Sequence, residues 1–73
     1  MTDLTIPSDV TGSIWKILVK PGDQVSEDDT LIIMESMKME IPLSAPEDGV
    51  VKEILVKELD AITDGQPVLI LGV

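Results

Sequence analysis

The feature that most constrains this chain of 73 residues is an internal repeat with an offset of 37 residues. Ile17-Leu18-Val19-Lys20 recurs as Ile54-Leu55-Val56-Lys57, and Gly12 recurs as Gly49. Conservative matches surround these identities. Each copy is too short to bury an apolar face by itself, so the two copies must pack on each other.

The residues of the two halves, about 5–36 and 42–73, favour strands. Nine Ile, eight Leu and eight Val accompany a single aromatic residue, so aliphatic side chains must build the core. No stretch shows the three-and-four spacing of an amphipathic helix. The sequence therefore predicts one all-β domain over residues 1–73. In it, two short antiparallel sheets pack together around an approximate twofold axis.

Glycines mark several of the expected turns. Gly22 follows a proline, a pair that favours a turn with positive φ at the glycine. We also assign structural roles to Gly12, Gly49 and Gly65. Leu59 stands at the position of Gly22 in the second copy, and leucine disfavours positive φ. We therefore expect the second turn to differ in detail from the first.

An acidic segment, Glu27-Asp28-Asp29, occupies the first-half position of the turn at Gly65. Its carboxylates lack the ligand spacing of a calcium loop, so the sequence favours a solvated turn. Trp15 is expected either in the core or as a half-covered ring on the surface.

The centre of the chain reads Glu35-Ser36-Met37-Lys38-Met39-Glu40, between an apolar run at 31–34 and an alternating run at 39–43. This pattern predicts a sharp reversal between two strands with Lys38 at its tip. Tight hairpins favour Asn-Gly or Asp-Gly, yet these six positions contain no Gly, Asn, Asp or Pro. The twofold axis would place this tip at one end of the domain and both chain termini at the other.

The side-chain inventory excludes several classes of function. The chain has no Cys and no His, which removes disulfides, thiolate nucleophiles and the commonest general base. All five basic residues are Lys and the formal net charge is −9, which argues against binding to nucleic acid or to anionic membrane. The N-terminal residues show no secretion signal and no apolar run reaches membrane-spanning length, so we expect a cytoplasmic protein.

The central motif resembles the Glu-Ala-Met-Lys-Met-Glu motif of the biotin carboxyl carrier branch of the biotinyl/lipoyl attachment domain family. The resemblance extends to Val19-Lys20-Pro21-Gly22-Asp23-Gln24-Val25, to Ala45-Pro46-Glu47-Asp48-Gly49-Val50-Val51 and to Asp64-Gly65-Gln66. Ser36 replaces the usual Ala. No insertion between Val10 and Val25 matches the protruding thumb of some acetyl-CoA carboxylase carriers, so carriers of other carboxylases or decarboxylases are more similar.

This resemblance implies a flattened β-barrel or sandwich of two four-stranded antiparallel sheets, the barrel-sandwich hybrid, with an acceptor lysine at a hairpin tip. Lys38 would receive biotin as an amide from a biotin protein ligase. It would then carry carboxybiotin between the biotin carboxylase and carboxyltransferase sites of a biotin-dependent enzyme. Such a carrier is not itself an enzyme, needs no metal, and is expected to be monomeric as an isolated domain.

The flanking residues have two interpretations. Met37 and Met39 either pack onto the sheet or contact the modifying and biotin-using enzymes, since thioethers adapt to shallow surfaces. Glu35 and Glu40 are either solvated strand ends or help to exclude the wrong ligases, and Ser36 belongs to the same recognition motif.

Three alternatives remain for the tip lysine. The first is an ordinary solvated turn lysine in an unmodified interaction module. The second is a lipoyl carrier, although lipoyl acceptors resemble Asp-Lys-Ala at the tip, whereas this chain has Met37-Lys38-Met39. The third is a domain that accepts both biotin and lipoate.

Overall fold

Eight strands make up the regular structure of residues 2–73. The computed structural model describes residues 2–73; Met1, the first residue of the predicted domain, lies outside the described residues. The strands are β1 (Asp3–Pro7), β2 (Gly12–Ile17), β3 (Gln24–Val25), β4 (Thr30–Ser36), β5 (Met39–Ser44), β6 (Gly49–Ile54), β7 (Ala61–Ile62) and β8 (Pro67–Gly72). Residues 2–73 contain no helix long and apolar enough to span a membrane.

The strands form two four-stranded antiparallel sheets, ordered β1-β8-β6-β3 and β5-β4-β2-β7. Corresponding strands are related by the sequence offset: β2 at Gly12–Ile17 matches β6 at Gly49–Ile54. Both strands also carry a β-bulge at the same position of the repeat. The predicted fold class, two packed sheets with pseudo-twofold symmetry, is thus confirmed.

The inward faces of the two sheets form an aliphatic core. Its fully buried large side chains are Ile14, Leu31, Ile32 and Met34 from one sheet and Val51, Val68, Leu69 and Leu71 from the other. Ser8 is the one buried polar residue among residues 2–73, and its Oγ donates to the carbonyl of Val10 at 2.6 Å. Trp15 lies in the bulge of β2 with 41% of its surface exposed, so it is a half-covered surface ring.

The turn at Leu59 corrects one expectation from the sequence. Leu59 adopts φ +75°, and Gly22 at the equivalent position adopts φ +97°. The backbone N–H of Lys57 donates to the Asp60 carboxylate at 2.9 Å, as that of Lys20 does to its aspartate three residues on. The prediction that the second turn differs is therefore wrong.

Hydrogen bonds from outside the turn explain why a leucine accepts this conformation. The Leu59 N–H donates to the carbonyl of Ile14 at 2.7 Å, and the Ile14 N–H donates to the carbonyl of Asp60 at 2.9 Å. The equivalent bond in the first half joins the Gly22 N–H to the carbonyl of Val51 at 2.7 Å. Contacts with the neighbouring strand thus determine the turn more strongly than the preference of its residue.

A second pair of equivalent turns lies at 26–29 and 63–66. Asp28 adopts φ +73° where the other copy has Gly65 at φ +87°. The Asp29 carboxylate accepts a hydrogen bond from the Ser26 N–H at 2.9 Å. The acidic segment therefore forms a turn that one of its own carboxylates closes.

The chain termini and the β4-β5 hairpin lie at opposite ends of β1. Thr2, just before β1, exchanges two backbone hydrogen bonds with Val73, at 2.8 and 2.9 Å. Ser8, just after β1, contacts the Met34 sulfur at 3.4 Å, and Thr11 accepts a hydrogen bond from Ser36. Six residues of extended strand separate the two ends by about 20 Å. The hairpin thus stands far from both termini, as the twofold axis predicts.

Candidate functional site at the central hairpin

The β4-β5 hairpin ends in a two-residue loop formed by Met37 and Lys38. Glu35 pairs with Glu40, and Ser36 pairs with Met39. Both loop residues have positive φ, +52° and +65°, as in a type I′ turn. Each left-handed non-glycine residue costs about 1–2 kcal/mol, so the loop is strained and its conformation depends on the structure around it.

The segment before β2 holds the base of this hairpin. Ser36 Oγ donates to the carbonyl of Thr11 at 2.9 Å, and Thr11 Oγ1 accepts from the Asp64 N–H at 3.0 Å. Gly12 lies against the hairpin backbone so closely that a Cβ added there would be 2.2 Å from the carbonyl oxygen of Glu35. Thr11 and Gly12 therefore fix the position of the strand that leads to Lys38.

The side chains at the tip are in solvent. Met37 is 91% exposed, Met39 is 62% exposed, and Lys38 is also exposed. Within residues 2–73 the one ion pair joins Lys52 to Asp3, at 3.0 Å. The Lys38 amine is therefore accessible and forms no ion pair with the described part of the chain. The two methionines bury little surface, which favours contact with another molecule over packing onto the sheet.

Glu35 and Glu40 face each other across the hairpin, where directly opposite side chains have Cβ atoms about 4.5–5.5 Å apart. Two like charges in such a pair are mutually repulsive. The equivalent pair in the other sheet is Asp3 and Gly72, which carries a single charge. The acidic pair is thus specific to the sheet that carries Lys38.

The structure brings together some of the sequence-predicted residues and separates others. Those gathered at the hairpin are Gly12, Glu35, Ser36, Met37, Lys38, Met39 and Glu40. Gly65 lies in the turn at 63–66, whose Asp64 N–H donates to Thr11 at the base of the hairpin. Gly22 lies in a turn against Val51 of the other sheet, and Gly49 packs against the backbone of Gly72 near Val73.

Thr11 contributes to the hairpin, yet sequence reasoning did not single it out. Its contacts join segments that are 25 and 53 residues apart in the chain. The only signal in the sequence was its position directly before Gly12.

The chemistry of the site is that of a single primary amine on an exposed two-residue turn. A group attached to Lys38 through an amide meets no obstruction from Met37 or Met39, since both neighbours point into solvent. The chain contains no His or Cys to act as base or nucleophile beside it. The residues present fit a covalently attached group on which other proteins act.

Comparison with known proteins agrees with this geometry. The sequence profile of the family described as "Biotin-requiring enzyme", the biotin/lipoyl domains, matches residues 4–71. This chain belongs to the biotin/lipoyl attachment domain family. Domains of this family carry biotin or a lipoyl group covalently and are carriers rather than catalysts.

Three similar proteins illustrate the family. The biotin/lipoyl attachment protein of Bacillus subtilis is 43% identical over 69 residues, which cover 94% of each chain. A homolog of biotinylated protein TB7.3 from Mycobacterium leprae is 33% identical over 92% of this chain and 94% of its own. The crystal structure of Kluyveromyces lactis urea carboxylase matches with a TM-score of 0.92 and 33% identity over 99% of this chain, which spans 6% of that enzyme.

Proposed function

We propose that this protein is a biotin carboxyl carrier and that Lys38 is its attachment residue. The observation that carries the proposal is the position of Lys38, which is exposed between Met37 and Met39 at the tip of a hairpin whose base is bonded to Thr11. Its partners would be a biotin protein ligase, a biotin carboxylase and a carboxyltransferase.

The architecture suits a carrier that visits two active sites. The tip stands at the far end of β1 from Thr2 and Val73, so whatever the termini are joined to stays clear of it. The hydrogen bond from Ser36 to Thr11 holds the base of the hairpin, so the amine is presented in one defined place to each visiting enzyme. When attached, biotin would accept a carboxyl group at one active site and release it at the next.

Charge also changes at the tip on attachment. Amide formation removes the positive charge of Lys38 and leaves the Glu35 and Glu40 carboxylates uncompensated on the same hairpin. The modified tip is thus more acidic than the unmodified one. Partner surfaces with basic residues would attract it more strongly, an effect that weakens as salt rises.

Biotin is favoured over a lipoyl group by the Met37-Lys38-Met39 sequence, which resembles the biotin acceptor motif. The name of the similar M. leprae protein, a homolog of a biotinylated protein, supports the same choice. The similar B. subtilis protein is named for both groups, so a lipoyl or dual carrier is the second candidate.

Intact-mass measurement after incubation with a biotin protein ligase, or separately with a lipoate ligase, tests the proposal. We expect the mass of one biotinyl group in the first reaction and none in Lys38→Arg. A matched control, Lys57→Arg, replaces an exposed lysine of another turn and should be modified like the parent chain. Lipoylation without biotinylation would replace the proposal by the second candidate, and biotin on the Lys38→Arg chain would refute the attachment residue.

A further inference from the structure

The two halves of the domain build the same backbone but differ in what they expose. Trp15, 41% exposed, corresponds through the repeat to Lys52, and Leu59, 81% exposed, corresponds to Gly22. By contrast, Leu18 is 49% exposed in one half, and its counterpart in the other is also a half-exposed leucine. Trp15 lies in β2 and Leu59 directly precedes β7, so these two exposed apolar side chains occur only beside the sheet that carries the hairpin.

The fold itself does not require either side chain. The bulge that contains Trp15 is repeated in β6, where Lys52 occupies the same position and pairs with Asp3 at 3.0 Å. The turn that contains Leu59 is repeated with Gly22, which adopts positive φ without the steric penalty of a side chain. A leucine there is both strained and 81% exposed, so folding gains nothing from it.

The turn that contains Leu59 lies against Ile14, the residue before Trp15, in the sheet that carries the hairpin. The Leu59 N–H donates to the carbonyl of Ile14, directly before Trp15, and the Ile17 N–H donates to Glu58 Oε2 at 3.1 Å. The turn at 58–60 thus runs along the bulge. In the same sheet, β2 pairs with β4, the strand that leads to Lys38.

The distance from this pair to the hairpin is short. Ser13, two residues before Trp15, is the pairing partner of Glu35, which in turn faces Glu40. Two residues of strand span about 7 Å. The apolar pair and the acidic pair therefore fit within one interface of ordinary size, about 800 Å² per partner.

We propose that Trp15 and Leu59, together with Met39 and the Glu35–Glu40 pair, form the surface on which the biotin protein ligase docks. The ligase surface that fits it is an apolar socket for the two side chains, rimmed by Lys or Arg toward the acidic pair. This inference rests on the proposed function, because it concerns the enzyme that forms the amide at Lys38.

The chemistry of the reaction favours the ligase over the later partners. Before modification, the Lys38 side chain itself offers only an ammonium group, which every exposed lysine also offers. The ligase must therefore select Lys38 through the surrounding protein surface. Enzymes that act on the finished carrier also have the attached group to bind.

The repeat supplies substitutions that the fold already accepts. Leu59→Gly copies Gly22 and removes the strain, and Trp15→Lys copies Lys52. We expect the KM of the ligase for the double variant to rise about tenfold, with kcat within about twofold of the parent, because truncating such apolar anchors removes binding energy of that order. Leu55→Ala is the matched control, because this exposed leucine follows β6 of the other sheet, and it should leave KM within about twofold.

The outcomes separate this inference from the proposed function. Urea unfolding shows which variants remain folded, and Leu59→Gly alone, with an expected rise in KM of roughly threefold, serves if Trp15→Lys does not fold. An unchanged KM in the folded variants, or an equal rise for Leu55→Ala, would overturn the docking surface while Lys38 is still modified. A parent chain that the ligase does not modify at all would overturn the proposed function and this inference with it.

Discussion

Replacing Gly12 by alanine should displace the hairpin that carries Lys38. The added Cβ would lie 2.2 Å from the carbonyl oxygen of Glu35 and 3.2 Å from Cα of Ser36. Ordinary contacts between such atoms are about 3.5 Å, so the backbone must move by roughly 1 Å. Both obstructing atoms belong to the backbone, and no flexible side chain can yield instead.

The expected loss of stability follows from this geometry. Overpacking of a well-packed site typically costs about 1–3 kcal/mol, and a rigid obstacle places Gly12→Ala near the upper end, at about 2–3 kcal/mol. At about 0.05–0.15 kcal/mol per residue, a domain of this length has roughly 4–11 kcal/mol in total, so the variant should still fold. Its hairpin should be shifted or loosened, because Gly12 lies directly beside it.

Gly49→Ala is the matched control, since Gly49 occupies the same position in the other half. Its Cβ would lie 2.5 Å from the carbonyl oxygen of Gly72, near the chain termini. Urea unfolding should show a similar loss for both variants, about 2 kcal/mol or more. Biotinylation kinetics, corrected for the folded fraction, should be slower only for Gly12→Ala. A parent-like urea midpoint for Gly12→Ala, or equal slowing of both variants, would refute the reasoning.

Three further substitutions test the turns and the surface. Met37→Gly removes the steric cost of positive φ at this position and should raise the free energy of unfolding by about 0.5–1 kcal/mol in urea titrations. A lower urea midpoint would contradict the strain at the tip. Asp60→Ala removes the acceptor of the Lys57 N–H and should lower the free energy of unfolding by about 1 kcal/mol, as should Asp23→Ala in the equivalent turn. An unchanged thermal unfolding midpoint would show that the carboxylate does not stabilise the turn. Lys52→Ala breaks an exposed ion pair and should lower the free energy of unfolding by less than about 1 kcal/mol at low salt. The decrease should be smaller still at high salt, and a decrease that salt does not reduce would contradict this account.

Much of the fold could be predicted because the signals for it are local or repeated. The aliphatic strand pattern and the 37-residue offset together indicate two sheets related by a twofold axis, and the structure has them. The end of β2 was less predictable: the apolar run continues to Val19, but the strand ends at Ile17. Apolar residues also occur in connections between sheets, so hydropathy alone does not mark the residue at which a strand ends.

The errors and omissions concern contacts between distant segments. The conformation of Leu59 depends on the carbonyl of Ile14, and the clamp on Ser36 depends on Thr11. Local preference disfavours positive φ for leucine, and it says nothing about which carbonyl a serine will reach. Neither feature could be read from neighbouring residues, because each partner lies more than 20 positions away.

The sequence by itself determined the pattern that makes Lys38, between two methionines at the centre of the repeat, the candidate attachment residue. Tertiary structure decided how that lysine is presented, on a strained loop held by Thr11 and Gly12 and remote from both termini. It also placed the turn at Leu59 against Ile14, the residue before Trp15, in the sheet of the hairpin. The physical reason is that residue type sets reactivity locally, whereas strain, exposure and shared surfaces arise only when the two repeats pack together.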